Sequence, residues 1–253
     1  MSVYRVSLAV AAALFASMFL AATVRATDFR LENAVFADGQ SQPQSQGVTI
    51  FHEGLVFDFL NDPAEIIVFD KAHRRFILLD VGRRLRSEIS IDDVKTFVAR
   101  AKHSLRGHAN PSVKWLADPS FEESFDRETA ELTLKSTPIT YRVQLQAAAA
   151  DVAIQYHEFS DCYAQLNHVL SPAKSWPPFP RMMLNDAIER HQGVAKEVHL
   201  TAVLNPRDVP TKIASRHQLS VQLDAGDMKR LAQTREYMAK FRMVSLREYA
   251  QGR

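Results

Sequence analysis

Residues 47–90 read GVTIFHEGLVFDFLNDPAEIIVFDKAHRRFILLDVGRRLRSEIS. Val48–His52, Leu55–Leu60, Glu65–Phe69, Arg75–Leu79 and Leu85–Ile89 are rich in Val, Ile, Leu and Phe. Between them stand Glu53-Gly54, Asn61-Asp62-Pro63, Asp70-Lys71-Ala72-His73 and Val81-Gly82, which are turn-forming residues. Strands starting about every ten residues and broken by turns predict an antiparallel meander. Within Leu55-Val56-Phe57-Asp58-Phe59, alternation sends residues 55, 57 and 59 one way and Asp58 the other. The expectation is one buried face and one wetter face.

Working outward, a short strand is expected around Phe29 to Phe36, followed by a polar loop at residues 40–46. After the meander, Ser90 is an N-cap, with Asp93 three residues on as in a capping box, and Gly107 closes the helix. Ile91, Val94, Phe97, Val98, Ala101 and Leu105 share its apolar stripe. Residues 108–130 read as loop with a turn at Val113–Leu116. Strands are expected at Leu132–Lys135 and Ile139–Leu145. A helix follows over Ala147–Leu170, with Val152, Tyr156, Phe159, Tyr163, Leu166 and Leu170 within about 80° on the wheel. A proline-rich connector, Pro172 to Pro180, leads to a helix over Arg181–His191. Strands at Glu197–Leu204 and Ile213–Leu223 and a helix from Asp227 to about Arg242 complete the order. Strands and helices do not strictly alternate, which argues against a doubly wound parallel sheet. The expected fold is α+β: a curved, half-barrel-like antiparallel sheet with amphipathic helices on its concave face.

Residues 1–26 have the layout of a secretory signal peptide. Arg5 is basic, Ser7 to Val24 is uncharged, and Val24-Arg25-Ala26 supplies a cleavage-site spacing. The run is just long enough to serve as a retained anchor. Its alanine content favours cleavage, so a single domain is expected over residues 27–253, exported to the periplasm or secreted. The two arginines of this leader account for the whole excess of 31 basic over 29 acidic residues. A neutral remainder gives no global support for nucleic-acid binding. The sequence carries no indication of oligomeric state.

Chemical signals are sparse. One cysteine excludes a disulfide scaffold and a four-cysteine metal site. On a helix, His157 and His168 lie about 140° and 120° from Cys162, so neither serves it as a base, and the thiol reads as a packed side chain. His157 and Asp161 have the i, i+4 spacing of two metal ligands, and His168 shares their face but stands about 10 Å beyond Asp161. That face is opposite the apolar stripe and is expected to be solvated. No metal, no cofactor and no catalytic residue is expected, because phosphate-loop, dinucleotide and nucleophile-elbow motifs are all missing. Asp58 and Glu65 are carboxylates able to meet across a hairpin, with nothing to select them over other pairs. Lys71, Arg74, Arg75, Arg83, Arg84 and Arg86 form a basic cluster, but the strand geometry splits it into groups about 17–20 Å apart, as solvated hairpin ends.

The segment Glu65-Ile66-Ile67-Val68-Phe69-Asp70 … Arg75-Phe76-Ile77-Leu78-Leu79-Asp80 resembles part of the outer-membrane lipoprotein carrier (LolA/LppX-like) superfamily. The turn after Asp70 lacks that family's glycine, and Leu79-Asp80 stands where a tyrosine-proline usually follows. The resemblance implies an exported half-barrel whose apolar cavity carries acyl chains, and transfers no functional residue. The leading expectation is a non-enzymatic protein binding a lipid or lipoprotein acyl chain between sheet and helices. Phe57, Phe59, Phe69, Phe97, Tyr156, Phe159 and Tyr163 are the candidate lining. The alternatives are an envelope interaction or structural module without a pocket, and a hydrolase whose acid–base pair forms only in the fold.

Overall fold

A computed structural model describes residues 27–251 except 62–63, 173–174 and 206. The leader therefore lies outside the described residues. The elements in chain order are β1 Phe29–Ala37, β2 Ser45–His52, β3 Leu55–Leu60, β4 Glu65–Asp70, β5 Arg75–Asp80, β6 Leu85–Ser90, α1 Ile91–Arg106 and α2 Pro111–Trp115. Then come β7 Glu122–Asp126, β8 Glu131–Lys135, β9 Ile139–Ala147, α3 Ala150–Leu170, α4 Phe179–Arg190, β10 Gly193–Ala202 and β11 Thr211–Ser220. α5 Ala225–Lys240, β12 Arg242–Met243 and α6 Leu246–Ala250 close the chain. The fold is α+β, with one open sheet of 12 strands in the order β12-β6-β5-β4-β3-β2-β1-β11-β10-β9-β8-β7. All pairings are antiparallel except β12 with β6.

The sheet is two meanders, β1–β6 and β7–β11, joined where β1 pairs with β11 from Arg30↔Ser220 to Ala37↔Ile213. Local turns set the first meander. Glu53 and Gly54 both have positive φ (52° and 77°), as the two-residue β2–β3 hairpin requires. The β4–β5 and β5–β6 hairpins use carboxylates to hold the turn: Asp70 Oδ1 accepts from His73 N at 3.1 Å, and Asp80 Oδ1 from Arg83 N at 2.7 Å. Ser90 caps α1 by accepting from Asp93 N at 3.0 Å.

Helices cover both faces of the first meander. On one face Phe29, Phe51, Ile67, Phe69 and Phe76 pack with α1, α3 and α4. On the other, Ile50, Phe57, Val68 and Ile77 pack with Leu231 of α5 and with Phe241. Arg30 fastens α5 to β1 through Asp224 and Asp227, each at 3.2 Å. This corrects the expectation of one wetter face: α5 covers the Phe57 side, and α3 covers the Asp58 side, leaving Asp58 only 4% exposed.

Three elements escape the sequence reading. β7 is an edge strand inside the expected 108–130 loop. β12 adds to β6 through Arg242↔Leu85 and Met243↔Arg86, and α6 then buries Tyr249, whose hydroxyl donates to Glu65 Oε1. The basic residues at the hairpin ends are largely neutralised locally, with Lys71 on Glu158, Arg74 on Asp92, Arg75 on Asp70 and Glu88, and Arg83 on Asp80. Among the described residues, no helix is long and apolar enough to cross a membrane.

Gly47 on β2 runs close against β3. A Cβ there would stand 2.7 Å from the Phe59 carbonyl oxygen, a backbone atom unable to move without displacing β3. Gly47→Ala is expected to lower unfolding free energy by about 1–3 kcal/mol in a denaturant titration, as overpacked sites do. An unchanged midpoint contradicts so tight a fit.

Candidate functional site

The seam between the meanders forms the floor of a cavity of about 400 Å³, roofed by α3. Period-two alternation puts one set of side chains on this floor: Leu31, Asn33 and Val35 from β1, Thr49 from β2, Asp58 and Leu60 from β3, and Ser215 and His217 from β11. Gly47 adds no side chain, which leaves room above β2. From the roof, Tyr156, Phe159, Ser160, Tyr163, Ala164 and Asn167 face down, and Arg181 enters from α4. A second cavity of about 240 Å³ adjoins the first, sharing Ala164, Asn167, Arg181 and Ser215, and continues toward Trp176 and Leu200.

The apolar walls are Leu31, Val35, Leu60, Tyr156 and Phe159. Across the floor runs a continuous polar row. Ser215 Oγ is 3.0 Å from His217 Nε2, and His217 Nδ1 is 2.7 Å from Asn33 Oδ1. Asn33 Nδ2 donates to Thr49 Oγ1 at 2.8 Å, and Thr49 Oγ1 donates to Asp58 Oδ1 at 2.7 Å. With Asp58 ionised, one order of donors satisfies the whole row. Thr49 gives its only hydroxyl proton to Asp58, so it accepts from the Asn33 amide, which turns Asn33 Oδ1 toward His217. His217 Nδ1 then carries the proton, and Nε2 is left to accept from the Ser215 hydroxyl.

Burial raises the Asp58 carboxyl above the usual carboxylate range, against the Thr49 hydrogen bond and a nearby Tyr163 hydroxyl. Asp58 Oδ2 has no partner with good hydrogen-bond geometry. Burial, then the Asp58 carboxyl, drives the Tyr163 phenol up as well. Among the described residues, Arg181 carries the only guanidinium or ammonium facing this cavity, and its Nε donates to Asn185 Oδ1 at 3.0 Å. No carboxylate among the described residues forms an ion pair with it.

Burial and the Arg181 charge hold the His217 imidazole down to about 4. In an unfolded chain a histidine titrates near about 6.5. The folded form therefore takes up its proton less readily than the unfolded one. The stability His217 contributes is complete above pH about 6.5 and is lost as pH falls toward 4, by up to about 3 kcal/mol. The His217 ring protons are expected to titrate near pH 4 by NMR; a midpoint near 6.5 contradicts this burial.

The sequence candidates separate. Tyr156, Phe159 and Tyr163 line the cavity. Phe69 is core, packed on Phe76 (5.0 Å between centroids) and Phe159 (6.1 Å). Phe57 and Phe59 lie on the opposite face of the sheet with α5. Phe97 is 38% exposed, its ring edge-on to His168. Asp58 and Glu65 take separate partners, Thr49 and Tyr249. Cys162 packs beside the core with its thiol pushed up by burial. Sequence reasoning missed Asn33, Thr49, Arg181, Ser215 and His217. For the four on strands the only signal is a polar residue on the apolar parity; Arg181, on α4, has none.

The expected solvated face of α3 is also corrected, because α4 packs there. His168 is 7% exposed and meets Ser175 Oγ at 3.2 Å. Asn185 donates to Asp161 Oδ1 at 2.8 Å, and burial raises the Asp161 carboxyl. His157 Nε2 lies 3.3 Å from Glu189 and 3.8 Å from Asp186. Ligand-type atoms of His157, Asp161 and Asp186 fall within 4.8 Å of one another. These donor types suit a divalent cation. The Asp186 and Glu189 carboxylates are exposed, and exposed acidic groups commonly cluster without an ion.

No family model matches the chain, and a search of curated proteins finds no match.

Proposed function

We propose that the protein is an exported carrier or receptor for a single-chain amphiphile, a lipid or a lipoprotein acyl chain, held between the sheet and α3. The observation that supports this most is the cavity at the meander seam. Its volume of about 400 Å³ is that of a small-molecule site, and it combines apolar walls with a few convergent polar groups. A module without a pocket has no use for such a space. The acyl chain lies against Leu31, Tyr156 and Phe159, and an anionic head faces Arg181. Among the described residues Arg181 makes no direct ion pair, and Asp161 reaches it only through Asn185; in a half-buried cleft such an arginine favours a carboxylate or phosphate, since a bidentate pair restores the hydrogen bonds burial removes. The leader pattern at residues 1–26 supports export, and the resemblance to lipoprotein carriers supports an acyl ligand and a sheet curved around its helices.

Calorimetric titration with dodecanoate tests the reading. Saturable one-to-one binding is expected. Arg181→Met is expected to weaken it at least tenfold, about 1.4 kcal/mol, while dodecanol binds both proteins alike. Absence of binding to either probe overturns the proposal, and equal dodecanoate affinity in both proteins overturns the head-group assignment.

A further inference from the structure

We propose that the floor of this cavity is also an acyl-transfer site, in which Ser215 is the nucleophile, His217 its base and Asn33 the positioning residue, acting on carboxylic esters of a single-chain acid. The proposal rests on the preceding reading for the acyl part of the substrate and on separate geometry for the chemistry.

That geometry is the polar row. A nucleophilic serine needs a base within hydrogen-bond reach and a third group that holds the base in the right tautomer. Ser215 Oγ lies 3.0 Å from His217 Nε2, and Asn33 Oδ1 lies 2.7 Å from His217 Nδ1. With Asp58 ionised, the row from Asp58 through Thr49 and Asn33 favours the Nδ1–H tautomer and leaves Nε2 free to take the Ser215 proton. Ser215 stands where the two cavities meet, so an ester carbonyl can reach it with the acyl chain on one side and the alcohol on the other. Arg181 lines both cavities and supplies positive charge beside the developing oxyanion.

The steps balance without a cofactor. Ser215 Oγ bonds to the ester carbonyl carbon as its proton passes to His217 Nε2. The carbon–oxygen bond to the alcohol breaks, and the alcohol leaves with that proton. Water then adds to the acyl-serine, giving one proton to His217, and collapse returns that proton to Ser215. The released acid has the carboxylate head that Arg181 is placed to hold. The groups facing His217 are Arg181 from α4, Ser215 on its own strand, Asn33 from β1 and, through Thr49, Asp58 from β3. Since burial and Arg181 keep the imidazole neutral down to about pH 4, the rate is expected to stay level from about pH 6 to 8, with its acid limb near 4.

The test uses the mature chain, p-nitrophenyl dodecanoate as substrate and a fluorophosphonate as serine-directed probe. Wild type is expected to turn over the ester and to gain one probe adduct, mapped to Ser215. Ser215→Ala is expected to lose at least 100-fold in kcat/KM and the adduct. Asn33→Ala is expected to lower kcat at least tenfold at constant KM and to shift the acid limb, which a purely structural change does not do. Ser215→Cys, with a similar side chain, is expected to keep the acylation step. Dodecanoate binding without turnover, turnover equal in wild type and Ser215→Ala, or an adduct elsewhere overturns this inference and leaves the carrier reading standing. Loss of both binding and turnover in wild type overturns the two together.

Discussion

Replacing Phe51 with alanine is expected to remove about 3–5 kcal/mol of unfolding free energy. Phe51 is 1% exposed on β2. Its ring stacks on Phe29 at 4.0 Å between centroids and meets Phe159 edge-on at 5.7 Å. It therefore joins β1 to β2 and both strands to α3. The cost has two parts, the lost transfer of a large apolar group and the void left among neighbours fixed by strand register. A chain of this size is expected to melt about 10 °C lower, at 2–4 °C per kcal/mol. A loss under about 1 kcal/mol contradicts the packing of α3 on the sheet described here.

The second large effect is functional. Ala164 lies on α3 and faces both cavities. Ala164→Trp puts an indole into open space instead of into the packed core. It is expected to lower dodecanoate affinity about 100-fold, close to 3 kcal/mol, with little change in melting temperature. The measurement is the calorimetric titration run beside a thermal scan. Unchanged affinity with an intact fold places the ligand elsewhere.

The two variants also show what a sequence can and cannot carry. The six strands of the first meander stand within a residue or two of their expected bounds, apart from an earlier start to β2, because local turns and alternation set them. α1 begins after Ser90 and stops at Gly107 as its caps dictate. β7 was illegible because Glu122–Asp126 is a mostly exposed edge strand, polar where buried strands alternate. β12 and α6 are too short for any period. The site was less legible still. Asn33 and His217 touch across 184 residues, and only the β1–β11 pairing brings them together. A carboxylate on an alternating strand ordinarily faces water, and no local signal announces that α3 covers Asp58. Phe57 and Phe59 went to the wrong side for the matching reason: an apolar face on a strand tells that something packs there, not which helix. Arg181 opens no motif, and its role depends on α4 being turned toward the seam.

The central claim is that the space between the seam strands and α3 takes an acyl chain. It is tested most directly by intermolecular NOEs between a dodecanoate chain and the isotopically labelled protein. The account predicts contacts from chain methylenes to Leu31, Tyr156 and Phe159, and from the carbons next to the carboxylate to Arg181. Contacts to Phe57, Phe59 and α5 instead, or no contacts under saturating ligand, would contradict it.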